Sequence, residues 1–93
     1  MTARIRLRTN FSYRSSEDEL FELPSSVHTV ADLLKFMGDE IRFAFLDADT
    51  GDLRQDIEVT LNNKDIWFYP NGLQRSFVNN DTLVITLIPL GGG

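Results

Sequence analysis

Thr82-Leu83-Val84-Ile85-Thr86-Leu87-Ile88-Pro89-Leu90 leads directly into Gly91-Gly92-Gly93, the last residues of the sequence. Seven β-branched and leucine residues in a row read as a strand. Leu83, Ile85 and Leu87 fall on one face, and Val84, Thr86 and Ile88 on the other. Pro89 has no N–H to give to a ladder, so sheet pairing is predicted to stop there. Glycine lacks a Cβ and samples backbone space widely, so the last residues are predicted to form a thin arm projecting from the fold. Frayed ends are common, but here a strongly apolar strand runs almost into the glycines. Such an arm suits a narrow partner cleft, with the terminal carboxylate carried to its floor.

Working backward, the turns are spaced like those of a small sheet protein. Ile57-Glu58-Val59-Thr60-Leu61 alternates and is followed by Asn62-Asn63, a pair that tolerates positive φ. Gly72-Leu73 comes next, and then Asn80-Asp81 before the last strand. This ordered series, ending in glycines, resembles the C-terminal half of the β-grasp sulfur carriers: the small subunit of molybdopterin synthase (MoaD), the thiamin carrier (ThiS) and the ubiquitin-related modifiers. Asn63 and Asn80 stand where that family favours glycine, and a third glycine lengthens the tail.

The resemblance implies an α+β fold, a β-grasp (ubiquitin-like) roll. In it a mixed sheet of four to five strands packs on one main helix, with the first and last strands parallel at its centre. It divides the chain into a domain over 1–90 and a glycine tail over 91–93. It also implies a chemistry. An adenylating, E1-like partner uses ATP to activate the Gly93 carboxylate, and a sulfur donor converts it to a thiocarboxylate. Gly91, Gly92, Pro89 and Leu90 would be the recognised arm, and Val84, Thr86 and Ile88 a docking patch. The carrier reading points to molybdopterin, with the large synthase subunit as a further partner, because the 53–73 segment is longer than in the thiamin carriers. The alternative is a protein modifier conjugated through Gly93. On either reading the carrier binds no cofactor itself, and a cytoplasmic setting is expected.

The rest of the chain is read from its residues. Ninety-three residues suffice for one domain with a single core. A net charge of −5 argues against nucleic acid, whose phosphates need a basic footprint. No apolar run approaches the roughly 20 residues of a membrane-spanning helix. The absence of Cys removes disulfides, thiolate metal sites and a cysteine nucleophile.

Residues 3–9 alternate, with Ile5 and Leu7 inward and Arg4, Arg6 and Arg8 outward. A second strand over 19–23, with Leu20 and Glu22 on opposite faces, is expected to complete a hairpin across the polar 10–18 connection. Thr29 and Asp32 form a capping-box pair ahead of Val30, Leu33, Leu34, Met37 and Ile41, an apolar stripe at helical spacing. Gly38 is expected to cap this helix, with a second short helical piece over 39–46, and Phe43 and Phe45 to pack beneath the sheet edge. The acidic 47–56 loop mimics a calcium motif, but Gly51 and Asp52 occupy the fifth and sixth positions, where an EF-hand needs an oxygen ligand and then glycine. It reads as a solvated turn around Thr50-Gly51. The 65–69 aromatic cluster is read as partly core, because a nucleic-acid stacking platform comes with basic grooves. His28, the sole histidine, has no Cys or second His for metal binding and is given a local structural role.

Overall fold

The computed structural model describes residues 3–11 and 20–88. The expectations for Pro89, Leu90, Gly91, Gly92 and Gly93, and for most of the 10–18 connection, lie outside them. The elements are β1 (Arg4–Thr9), β2 (Phe21–Glu22), α1 (Val30–Ile41), β3 (Ile57–Leu61), β4 (Lys64–Asp65) and β5 (Thr82–Leu87). Two 3₁₀ turns, Ile66–Phe68 and Gly72–Gln74, lie between β4 and β5.

The strands form one mixed five-stranded sheet in the order β2-β1-β5-β3-β4. β1 and β5 are parallel and adjacent, with Leu7 opposite Leu83 and Thr9 opposite Ile85. β5 is also antiparallel to β3, with Val59 opposite Ile85. β5 is therefore paired on both edges. The period-2 pattern turns Ile5, Leu7, Ile57, Val59, Leu61, Leu83 and Ile85 to one face, all buried. Val30, Leu33, Leu34 and Met37 of α1 complete the same core.

The start of α1 follows from its sequence. The Asp32 amide donates to Thr29 Oγ1 at 3.1 Å, and Asp32 Oδ2 accepts from the Thr29 amide at 3.1 Å. Both halves of the capping box are therefore made. The end of α1 departs from expectation. Gly38 is an interior residue, and the helix continues to Ile41 and is capped by Arg42 in the left-handed region at φ 56°. The reason for glycine at 38 is proximity: a Cβ there would lie 2.5 Å from the Phe43 carbonyl oxygen. No second helix forms over 39–46. Residues 43–45 carry no regular structure, and Leu46 makes an isolated bridge to Leu53. Ile41, counted in the apolar stripe, is the last residue of α1 and is 38% exposed.

Phe45 is buried and stacks edge-on with Phe43, ring centroids 4.9 Å apart. The second strand is shorter than expected, only Phe21–Glu22. Leu20 is exposed, as is Glu22, since residues two apart on a strand share a face, and Leu23 takes the core position instead. Asn62 and Asn63 both have positive φ, at 54° and 67°, and link β3 to β4 as a two-residue hairpin turn. In the 47–56 loop, Asp47 Oδ1 accepts from the Asp49 and Thr50 amides, and Gly51 turns at φ 75°.

Candidate functional site

The site is built at the end of β5. Its last paired residue, Leu87, faces Ile57 on the β3 side. On the other side the β1 ladder has ended at Thr9–Ile85, and a side chain takes its place. Asn10 Nδ2 donates to the Leu87 carbonyl at 3.0 Å, and the Leu87 amide donates to Asn10 Oδ1 at 2.9 Å. One residue on, the Ile88 amide donates to the Asp56 carbonyl at 2.8 Å.

Asp56 is fixed in turn. Its carboxylate pairs with Arg54 at 2.9 Å, the Arg54 Nη1 donates to the Ala44 carbonyl at 3.0 Å, and the guanidinium lies 5.1 Å from the Phe43 ring centroid. The result is a continuous support from the Phe43–Phe45 corner to the backbone of Ile88. None of Asn10, Arg54, Asp56 or Phe43 had been singled out for this role by sequence reasoning. An Asn just beyond a strand end is the one signal that could have drawn attention to Asn10, since its carboxamide has the donor and acceptor of a peptide unit.

The residues expected to dock a partner are placed as follows. Val84 and Thr86 are half-buried on the face away from α1, and Ile88 is 37% exposed beyond the end of the strand. In register, Val84 lies between Arg8 of β1 and Thr60 of β3, and Thr86 lies beside Glu58. A narrow, mildly apolar strip thus has cationic residues on its β1 side and an acidic residue on its β3 side. Arg4 at the sheet margin pairs with Glu22 at 3.4 Å, both side chains well exposed. Gly93, Gly92, Gly91, Leu90 and Pro89 continue from Ile88 in sequence, outside the described residues.

The start of β5 is equally constrained. Asp81 is buried, and its carboxylate accepts from the Val78 amide at 2.8 Å and from Asn62 Nδ2 at 2.9 Å. The Thr82 amide donates to Asn62 Oδ1 at 2.8 Å. His28 is exposed; its amide donates to Asp32 Oδ2 and its carbonyl accepts from the Phe77 amide. Among the described residues, no three His, Cys, Asp or Glu side chains come together as a metal site. No helix among them is long and apolar enough to cross a membrane.

Among solved structures, the chain is similar to the Haloferax volcanii HVO 2177 protein, with a TM-score of 0.71 at 16% identity over 98% of this chain and 88% of that one. It is similar also to the small archaeal modifier protein 1 (SAMP1) from Methanosarcina acetivorans, with a TM-score of 0.64 at 16% identity over 100% of this chain and 99% of that one. The fold is the ubiquitin-like β-grasp. The sheet order, the parallel central pair and the single covering helix are those of that roll. No protein-family model matches the sequence, and no curated protein matches it. Within the β-grasp, Leu87 is the last residue of β5.

Proposed function

We propose that this β-grasp protein is a carrier whose last glycine is activated by a partner enzyme. The observation that carries the reading is the anchored end of β5. Three hydrogen bonds hold the Leu87 and Ile88 backbone, two with the Asn10 side chain and one with the Asp56 carbonyl, and the sequence from there is Pro-Leu-Gly-Gly-Gly. A fixed base followed by Pro-Leu and then three side-chain-free glycines suits insertion into a closed active site. The chain's part is to present the Gly93 carboxylate; Pro89, Leu90, Gly91 and Gly92 form the recognised arm, and Val84, Thr86 and Ile88 the docking strip.

The chemistry belongs to the partner. The Gly93 carboxylate attacks the α-phosphorus of ATP and pyrophosphate leaves, giving an acyl-adenylate. A sulfide-equivalent donor then attacks the acyl carbon and AMP leaves, giving a thiocarboxylate. A free carboxylate is a poor acyl donor, and adenylation supplies the leaving group that it lacks. The long 53–73 segment, which resembles the MoaD and ubiquitin-related branches more than the thiamin carriers, makes molybdopterin the first destination for the sulfur, with the large synthase subunit as acceptor, in the cytoplasm. A second reading, protein modification through Gly93, is favoured by the structural likeness to a protein named as a small archaeal modifier.

Pyrophosphate exchange with an adenylating enzyme, comparing the full chain with one lacking Gly92 and Gly93, tests the shared step. Deletion moves the carboxylate about 7 Å back at roughly 3.3–3.6 Å per residue, and exchange is expected to vanish. Equal exchange by both chains would overturn the reading. Ile88→Asp is expected to weaken activation with little change in melting temperature. Intact mass after addition of a sulfur source then separates the destinations: a gain of about 16 Da, oxygen replaced by sulfur, marks the carrier, and a ladder of conjugates marks the modifier.

A further inference from the structure

The 3₁₀ turn after β4 displays the chain's largest apolar side chains to solvent. Ile66 is fully buried, whereas Trp67 is 54% and Phe68 71% exposed. The expectation that the 65–69 cluster is partly core therefore holds for Ile66 and Tyr69 and not for the two rings between them. The turn is held in place. Asp65 Oδ1 accepts from the Trp67 amide at 2.9 Å, and the Tyr69 hydroxyl donates to the Leu61 carbonyl at 2.6 Å. A rigid, exposed Trp is an unusual use of a residue that gains most from burial, and it is the residue type most enriched at binding hot spots.

Trp67 lines a groove of about 380 Å³. Tyr69, Pro70 and Leu73 also line it, together with the polar Asn71 and Gln74 and with Gly51 and Asp52 of the acidic loop. The indole edge lies against Gly72, where an added Cβ would come within 3.6 Å of it. Among the described residues, two aromatic rings carry cations. Lys64 and Arg75 stand over Tyr69, at 5.0 and 5.5 Å, and Arg54 stands over Phe43. None stands over Trp67. The ion pairs among described residues are Arg4–Glu22 and Arg54–Asp56, and Asp52 joins neither. An exposed indole and an exposed carboxylate thus line one groove, on a chain of net charge −5.

We infer that this groove is a docking site for a basic segment of a partner protein, taking an arginine or lysine side chain. The aliphatic stem and cation lie on the Trp67 indole, and the charged head reaches Asp52. None of these residues belongs to β5 or to 89–93, and the inference does not rest on activation at Gly93.

Trp67 is the only tryptophan, so its emission reports on the groove directly. The full chain is titrated with a synthetic hexapeptide alternating arginine and glycine, and with its glutamate–glycine counterpart. The arginine peptide is expected to change Trp67 emission saturably, to move the amide resonances of Gly51 and Asp52, and to bind more weakly in added salt. Asp52→Asn, an exposed position outside the core, is expected to weaken binding about threefold, as an exposed ion pair does. Trp67→Ala is expected to remove the peptide-induced shifts at Asp52 while the core methyl resonances stay in place. No saturable change, an equal response to the glutamate peptide, or unaltered affinity in Asp52→Asn would each overturn the inference. So would an emission change that follows protein concentration alone, which would assign the groove to a second copy of the chain.

Discussion

The carboxamide of Asn10 makes both hydrogen bonds of the Leu87 backbone, at 3.0 and 2.9 Å, and so continues the β1 edge of the sheet after β1 itself has ended. Asn10→Ala removes both partners at once. The loss is expected to be about 1 kcal/mol in global stability, the net worth of such bonds near the surface. Hydrogen exchange is the sharper readout. The Leu87 amide is expected to exchange much faster in the variant, while Ile85, paired through the backbone, keeps its protection. Unchanged exchange at Leu87 would remove Asn10 from the support of the β5 end.

Leu34 is 1% exposed and lies in the α1 face of the core. Leu34→Ala is expected to cost roughly 2–5 kcal/mol in chemical denaturation, as buried large-to-small changes do. A cost below about 0.5 kcal/mol, the usual surface value, would contradict its placement.

Replacing glycine by alanine inside a helix ordinarily stabilises by about 1 kcal/mol. Gly38→Ala is expected to do the opposite, because the new methyl would meet the Phe43 carbonyl at 2.5 Å, and that carbonyl is backbone. The expected loss is roughly 1–3 kcal/mol, typical of overpacking. A raised melting temperature would show that the Phe43 corner yields at little cost.

The two turn asparagines give a paired test. Both have positive φ, which glycine adopts freely. Asn63→Gly is expected to change stability by only a few tenths of a kcal/mol. Asn62→Gly takes away the donor to buried Asp81 and the acceptor of the Thr82 amide. It is expected to cost about 1–3 kcal/mol, the penalty of leaving a buried polar group unpaired. Equal effects at the two positions in urea unfolding would mean that backbone conformation alone governs the turn.

Asp32 has its pKa held below the ordinary aspartate value, chiefly by the His28 amide and further by the Thr29 amide and hydroxyl, against desolvation that acts the other way. A depressed folded pKa stabilises above the unfolded value, near 4, and that contribution is lost as pH falls through the lower folded value. The stability difference between the native chain and Asp32→Asn is therefore expected to be full at neutral pH and to shrink below about pH 4. A difference independent of pH from 2 to 7 would rule out the ionised carboxylate as the cap.

Much of the sheet was legible in the sequence because its signals are short-range. Alternation placed Ile5, Leu7, Leu83 and Ile85 inward, the Asn62-Asn63 pair marked a hairpin, and Thr29 with Asp32 marked the start of α1. The errors arose where distant contacts decide. Gly38 carries the local mark of a helix end, yet it is explained by Phe43 passing close to the helix, which no window around residue 38 contains. Within the 65–69 cluster, read as partly core, Trp67 and Phe68 are exposed, because Ile66 occupies the buried side of the 3₁₀ turn. For the candidate site, the composition of the tail and the facing of Val84 and Thr86 could be read directly. The bracing by Asn10, Arg54 and Asp56 could not, since the Asn10–Leu87 contact spans 77 positions.

The parallel β1–β5 pair also fixes when the protein can fold. The middle of the sheet is made by strands from opposite ends of the chain, and β5 supplies a pairing edge to both β1 and β3. β1 meets β2 nearby in sequence, but its parallel partner β5 lies near the other end of the described chain. Until β5 docks, β1 and β3 are not joined in one sheet, and the α1 stripe has little to cover. Closing so long a loop before any long-range contact compensates it slows folding. Assembly of the sheet therefore waits on β5, which joins the β2-β1 pair to the β3-β4 pair. Under the proposed carrier role, folding and presentation of the glycine tail would then depend on the same strand.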